Sequence, residues 1–182
     1  MKRIILTFGI ISGVISTVLM LSFIPFIDKI GFDKGFILGY SAIVLSFLLV
    51  FFGIRSYREN VGDGQISFGK AFTVGILITI ISCAFYAVTW QIAYTFFLPD
   101  FFDKYTNYVV TSMKNSGKSA QEISATIDQM KSMKAMNDNP IFGVLIVFFT
   151  EPFPVGLLVT LISALILKKK NKSSPAEQLA TS

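Results

Sequence analysis

The residues of this chain whose types and spacing could do chemistry inside an apolar setting are Glu151-Pro152-Phe153-Pro154. Glu151 is the only acid inside a long apolar run. An ionisable group is costly in hydrocarbon, so its presence marks a functional candidate. The flanking prolines sharpen the case. Pro152 and Pro154 have no N–H to offer the carbonyls of Phe148 and Thr150, and Pro152 biases Glu151 away from the α region. A helix is therefore expected to break here and restart near Pro152. Glu151 stands 16 residues before Leu167, about 24 Å at a rise of about 1.5 Å per residue. In a hydrocarbon core of about 30 Å that lies just beneath one interface. Two readings follow. In one, the carboxylate steadies the new helix start, favoured by its dipole and by free N–H groups. In the other, the broken helix, its opened carbonyls and the carboxylate form a cation or proton site, as discontinuous helices do in transporters. Thr79, Ser82, Tyr86 and Gln91 are the side chains of the preceding run that would face it.

The remaining inventory is thin. There is no histidine, the commonest general base and metal ligand. The single cysteine, Cys83, lies in an apolar run and reads as a small buried hydrophobe. It cannot build a disulfide framework or a cysteine metal cluster within one chain. No acid pair interrupts the apolar runs, and Gly62-Asp63-Gly64 is too short for a phosphate loop and reads as a turn. No enzymatic activity, cofactor or metal centre is expected.

The elements that must position Glu151 are membrane spans. Hydrophobic residues make up 53% of the 182, mean hydropathy is +0.65, and 15% are charged. A soluble domain would need about a quarter charged to cover its surface. Four apolar runs, 4–27, 35–54, 71–98 and 141–167, each reach the about 20 residues a helix needs to cross. The first is too long for a signal peptide, whose apolar region is about 7–15 residues, and no small-residue cleavage pattern follows it. Small residues gather as packing faces: Gly9 and Gly13 beside Ser12 and Ser16, then Gly35, Gly39 and Ala42, then Gly156, Thr160 and Ser163. Trp90 and Tyr94 suit an aromatic belt at an interface. The fold class is all-α: four transmembrane helices in a single membrane domain, 1–170, followed by a disordered tail, 171–182.

Between the third and fourth runs, 100–137 is too long for a structureless loop and reads as a helical hairpin. Asp100 is placed to cap its first helix, whose apolar side is Phe102, Tyr105, Val109 and Met113. Gly117 suits a left-handed C′ position, and Ser119 with Glu122 forms a capping-box pattern before Ile123, Ile127 and Met130. Met113, Met130, Met133 and Met136 give this hairpin an adaptable face that could receive a membrane protein partner.

Direction comes from Arg55, Arg58 and Lys70 in the short turn between the second and third runs. Ser67 is placed to cap the helix that follows, with Ile66 as a staple residue before it. With that turn, Lys2-Arg3 and the closing lysines assigned to the cytoplasm, the inner segments hold nine of 16 basic residues and three of 11 acids. The two outer segments balance, so N- and C-termini are both expected inside. The basic inner face attracts anionic lipid, and its charge needs no nucleic acid to explain it.

The order of runs, together with Gly53-Ile-Arg-Ser-Tyr-Arg58, Ile66-Ser-Phe-Gly-Lys-Ala-Phe72 and Glu151-Pro-Phe-Pro-Val-Gly156, resembles domain of unknown function 4199. That family consists of small bacterial membrane proteins with four spans, and the likeness runs from Lys2 to about Lys170. It implies a bacterial inner membrane and supplies no catalytic residues. The leading expectation is an accessory or interaction subunit. The alternative is small-solute or proton/cation transport by a homo-oligomer, with Glu151, Pro152 and Pro154 in the broken fourth helix.

Overall fold

A computed structural model describes residues 1–169. The tail expected at 171–182 lies outside the described residues. Helix α1 spans Lys2–Phe23, and a 3-10 turn at Ile24–Phe26 leads into the short α2, Ile27–Ile30. The expected first run to residue 27 is thus cut short as an α-helix, because Pro25 has no N–H for the carbonyl of Leu21. Helix α3 spans Phe32–Asn60 and α4 spans Phe68–Phe97. Arg55, Arg58 and Lys70, expected in a turn, therefore stand on helix ends, and the turn itself shrinks to 61–67. The start of α4 is earlier than 71 because Ser67 adopts extended backbone and its side chain accepts from Lys70 N–H at 3.3 Å.

Helices α5, Phe101–Asn115, and α6, Ala120–Asp138, touch one another and precede α7, Pro140–Thr150, and α8, Pro152–Leu167. Their junctions follow local rules. Gly117 takes φ +71°, and Ser119 and Glu122 form the reciprocal capping box. Asp100 occupies the N-cap of α5 without capping it, since its carboxylate pairs with Lys104 at 3.1 Å instead.

Among the described residues, four helical stretches are long and apolar enough to cross a membrane: Lys2–Phe26, Phe32–Asn60, Phe68–Phe97 and Pro140–Leu167. Their outer faces carry exposed residues such as Ile37, Phe96, Ile141 and Ile166. Such an all-round apolar surface suits lipid, and the chain is a multi-pass membrane protein. Helix α4 lies against α1, α3, α7 and α8, while α3 lies against α1 and α8. The core sits where these meet, around Phe47, Val50, Ile54, Val74 and Ile78, all essentially inaccessible.

Lipid tails are as apolar as leucine, so close packing and buried polar pairs must hold such helices together. The small-residue faces do this within the chain. A Cβ on Gly9 would lie 2.9 Å from Ile81 Cβ, and one on Gly13 would lie 2.7 Å from Phe85 Cβ, so α1 packs on α4 through its glycines. Ser12 Oγ donates to Ser46 O at 2.8 Å and shares a 2.9 Å hydrogen bond with Ser82 Oγ, joining three helices. Thr79 and Thr160 share another at 2.9 Å between α4 and α8.

One end of the bundle is clasped. Ile66 and Lys169 exchange backbone hydrogen bonds of 3.0 and 2.9 Å, and Arg58 Nη1 donates to Leu167 O at 3.4 Å. Ile66, placed by sequence as a staple, is buried in this clasp. A guanidinium at a helix C-terminus also meets the negative end of its dipole.

Candidate functional site: an intramembrane carboxylate beside an aromatic chamber

Asn139 and Pro140 start α7 together, with the Asn139 side chain accepting from Ile141 and Phe142 N–H at 3.1 and 3.3 Å. Eleven residues later the helix stops at Glu151. Its N–H makes the last regular bond, to Val147 O at 3.1 Å, and Pro152 then opens α8. Glu151 has φ −108° and ψ −77°, pulled off helical geometry yet kept on the right-handed side rather than extended. The restart at Pro152 is thus where the prolines place it.

The carboxylate does not cap α8: it makes no side-chain hydrogen bond to that helix start. Glu151 Oε2 instead accepts from the hydroxyl of Tyr86, on α4, at 2.9 Å. Of the four side chains expected to face Glu151, Tyr86 alone bonds to it. Thr79 turns to Thr160 and Ser82 to Ser12, while Gln91 donates to Asn137 O at 3.1 Å and to Thr95 at 3.4 Å.

Glu151 and Tyr86 both line a cavity of about 270 Å³. Its walls are the sparse stretch of α3 at Gly35 and Gly39, Trp90 of α4, Phe101 and Tyr105 of α5, and Asn137 of α6. Nothing stands within 4 Å of a Cβ built on Gly35 or Gly39. These two glycines, expected as a packing face, leave space instead. A second cavity of about 420 Å³ shares the lining residues Ile27, Ile30, Phe32, Leu98 and Phe101 with the first, so the two lie side by side. Its rim is polar, with Asp33, Lys34, Asp100, Lys104 and Tyr108.

Helix α5 forms part of both walls. Phe32 packs on Phe101, Tyr105 and Tyr108 at ring separations of 5.8, 5.2 and 5.2 Å. Tyr108 hydroxyl donates to Asp33 Oδ1 at 2.5 Å. Deprotonation would forfeit that bond, which holds the Tyr108 hydroxyl above the usual phenol range. Trp90 meets Phe101 edge-on at 5.1 Å, and Tyr94 is buried against Phe102 at 5.6 Å. The two aromatics read as a belt therefore serve as the seat of α5. Tyr94 hydroxyl also donates to Asp138 Oδ1 at 2.5 Å, and with Lys134 at 2.9 Å it holds the Asp138 carboxyl below its usual range.

A family model described as "Protein of unknown function (DUF4199)" matches residues 7–169. The chain belongs to this family. No curated protein matches, and no solved structure matches. The match spans all four apolar helices and the break between α7 and α8, so the site geometry described above lies wholly within the family's domain.

Chemically, the arrangement offers one carboxylate with one neutral donor and a largely apolar surround. Among the described residues no three His, Cys, Asp or Glu side chains converge to hold a metal ion. Cys83 is buried in the core. Arg55, Arg58 and Lys70 do not join the site. Arg55 pairs with Glu59 at 2.9 Å, and Arg58 belongs to the clasp at the end of α8. Sequence patterning missed the chamber because its walls come from separate helices, α1 to α7. The signal it did carry was Gly35 and Gly39 on a run otherwise crowded with large residues.

Proposed function

We propose that the protein holds a small solute inside its bundle, in the chamber beside Glu151, as part of transport across a bacterial inner membrane. The observation that carries this reading is the 2.9 Å Tyr86–Glu151 hydrogen bond on the wall of a cavity of about 270 Å³. A carboxylate in such a place is costly, which marks it as a functional candidate. Four spans rarely enclose a pathway alone, so transport would use a homo-oligomer. The accessory-subunit reading is second. It is favoured by Met133 and Met136, 37% and 52% exposed on α6, adaptable side chains on the hairpin.

In this reading both termini are cytoplasmic and the α5–α6 hairpin stands outside, over the mouth of the chamber. A cysteine at Ser119 in a Cys83→Ala background should react with an impermeant maleimide in intact cells, and one at Asp63 should not. The reverse labelling would invert the topology.

The decisive measurement is the mass of the intact complex, extracted from its own membranes in lipid nanodiscs. The expected result is a homo-oligomer carrying a small-molecule adduct that Glu151→Gln lacks. A stoichiometric foreign polypeptide, with no adduct, would replace solute binding with the accessory role. No enzymatic step is proposed at this site.

A further inference from the structure

We propose that the chamber takes a small organic cation, its charged group against Glu151 and its apolar body against the surrounding rings. The inference rests on the chamber being a solute site and adds the ligand class.

Three observations carry it. First, among the described residues Glu151 meets a single donor, the neutral hydroxyl of Tyr86, and no Lys or Arg there forms an ion pair with it. A carboxylate has room for about four hydrogen-bond donors. In an apolar setting its ionised form is retained only when a counter-charge accompanies it. The described residues supply none at this point, so the carboxyl either keeps its proton or takes its counter-charge from a cationic ligand. Second, the rest of the wall is rich in rings, among them Phe36, Tyr40, Trp90, Phe101 and Tyr105. Aromatic faces attract cations, tryptophan most strongly, and the attraction grows when water is excluded. A hard metal ion would instead need about six or more oxygen ligands, which a wall of rings does not provide. A weakly hydrated organic cation gives up little by entering. Third, the space is small and open-sided. About 270 Å³ is just under the usual range of ligand cavities and suits a molecule of one ring or so. A second cavity lies beside it under α5, across Phe32 and Phe101.

The test uses the full chain in liposomes, with two probes of one shape: phenyltrimethylammonium and its neutral isostere tert-butylbenzene. Trp90 is the only tryptophan in the chain and lines the chamber, so its fluorescence reports occupancy. Phenyltrimethylammonium should change Trp90 emission saturably. Glu151→Gln, which keeps an acceptor for Tyr86, should weaken that binding at least about tenfold, as loss of one member of a desolvated charge pair does. Tert-butylbenzene should bind both proteins within about twofold of each other, since apolar contacts are unchanged. Gly39→Leu, which fills the chamber, should abolish both signals. Equal binding of the two probes, unaffected by Glu151→Gln, would overturn the cation assignment and leave a general apolar solute site. Binding of neither probe, or binding that survives Gly39→Leu, would overturn the cation assignment and the chamber reading together.

Discussion

The two ends of this bundle use the same small residues to opposite effect. Around Gly75 and Gly156 the glycines are filled from outside: a Cβ on Gly75 would lie 2.8 Å from Ile54 Cδ1 and Thr160 Cγ2, and one on Gly156 would lie 2.8 Å from Phe47 Cζ. Around Gly35 and Gly39 a Cβ would meet nothing. At the first end α3, α4 and α8 close on Phe47, Ile54 and Ile78, and the clasp between Ile66 and Lys169 ties off the end. At the other end α3 stands away from α4 and α7, and the rings of α5 and the Glu151 carboxylate border the space left over. Absence of a side chain is thus a means of approach in one place and of vacancy in the other. One end holds the helices together, which frees the other to stay open.

Leucine substitutions break or sustain this contrast most sharply. Gly156→Leu should cost about 3 kcal/mol of stability or prevent assembly, since the new side chain must displace the Phe47 ring and Thr79. Gly39→Leu should leave stability within about 0.5 kcal/mol, as substitutions into open space do. Unfolding in a graded denaturing detergent measures both, and equal losses would dissolve the distinction.

A smaller effect is expected from the buried polar pair at the closed end. Thr79 and Thr160 are both fully buried, their hydroxyls 2.9 Å apart. Thr160→Val leaves the Thr79 hydroxyl with only a long contact to Gly156 O at 3.5 Å. The expected loss is about 1 kcal/mol, at the upper side of the about 0.6 kcal/mol average for such bonds in membranes. Changing both to valine should recover most of it, because neither polar group is then stranded. If the double variant is as unstable as the sum of the singles, methyl packing rather than the hydrogen bond holds α4 to α8 here.

What could be read from the residues and what could not divides along the same line. The helix starts at Ser67 and Ser119, the left-handed stop at Gly117 and the break at Pro152 were legible because each is set by neighbours in sequence. The four spans were legible because length and apolarity alone select them. The partners of Thr79, Ser82 and Gln91 were not, because a helical position does not say which of several neighbouring helices its side chain will meet. Asp100 shows the same limit locally. A cap position was evident, but the competing Lys104 one turn on took the carboxylate. Glu151 was legible as an oddity, while its acceptance from Tyr86 rather than from α8 depends on where α4 passes.

The subtlest test of the contrast concerns what closes the open end. Helix α5 is held to α3 by ring packing on Phe32 and by the hydrogen bond from Tyr108 to Asp33. Because the bond requires the phenol proton, the folded protein holds that proton more tightly than the unfolded chain, where the group titrates near 10.0. A folded value raised above the unfolded one contributes stability that is fully present below the unfolded value and is lost as pH rises through the folded one. Alkaline solution should therefore loosen α5 before it disturbs the closed end. Trp90, edge-on to Phe101, reports this as a change in emission at pH values above the ordinary phenol range. Tyr108→Phe should show part of that change already at neutral pH and a weaker pH dependence beyond it. The exposed position of the bond keeps the effect small. An identical alkaline profile in Tyr108→Phe would assign the hold on α5 to its rings alone.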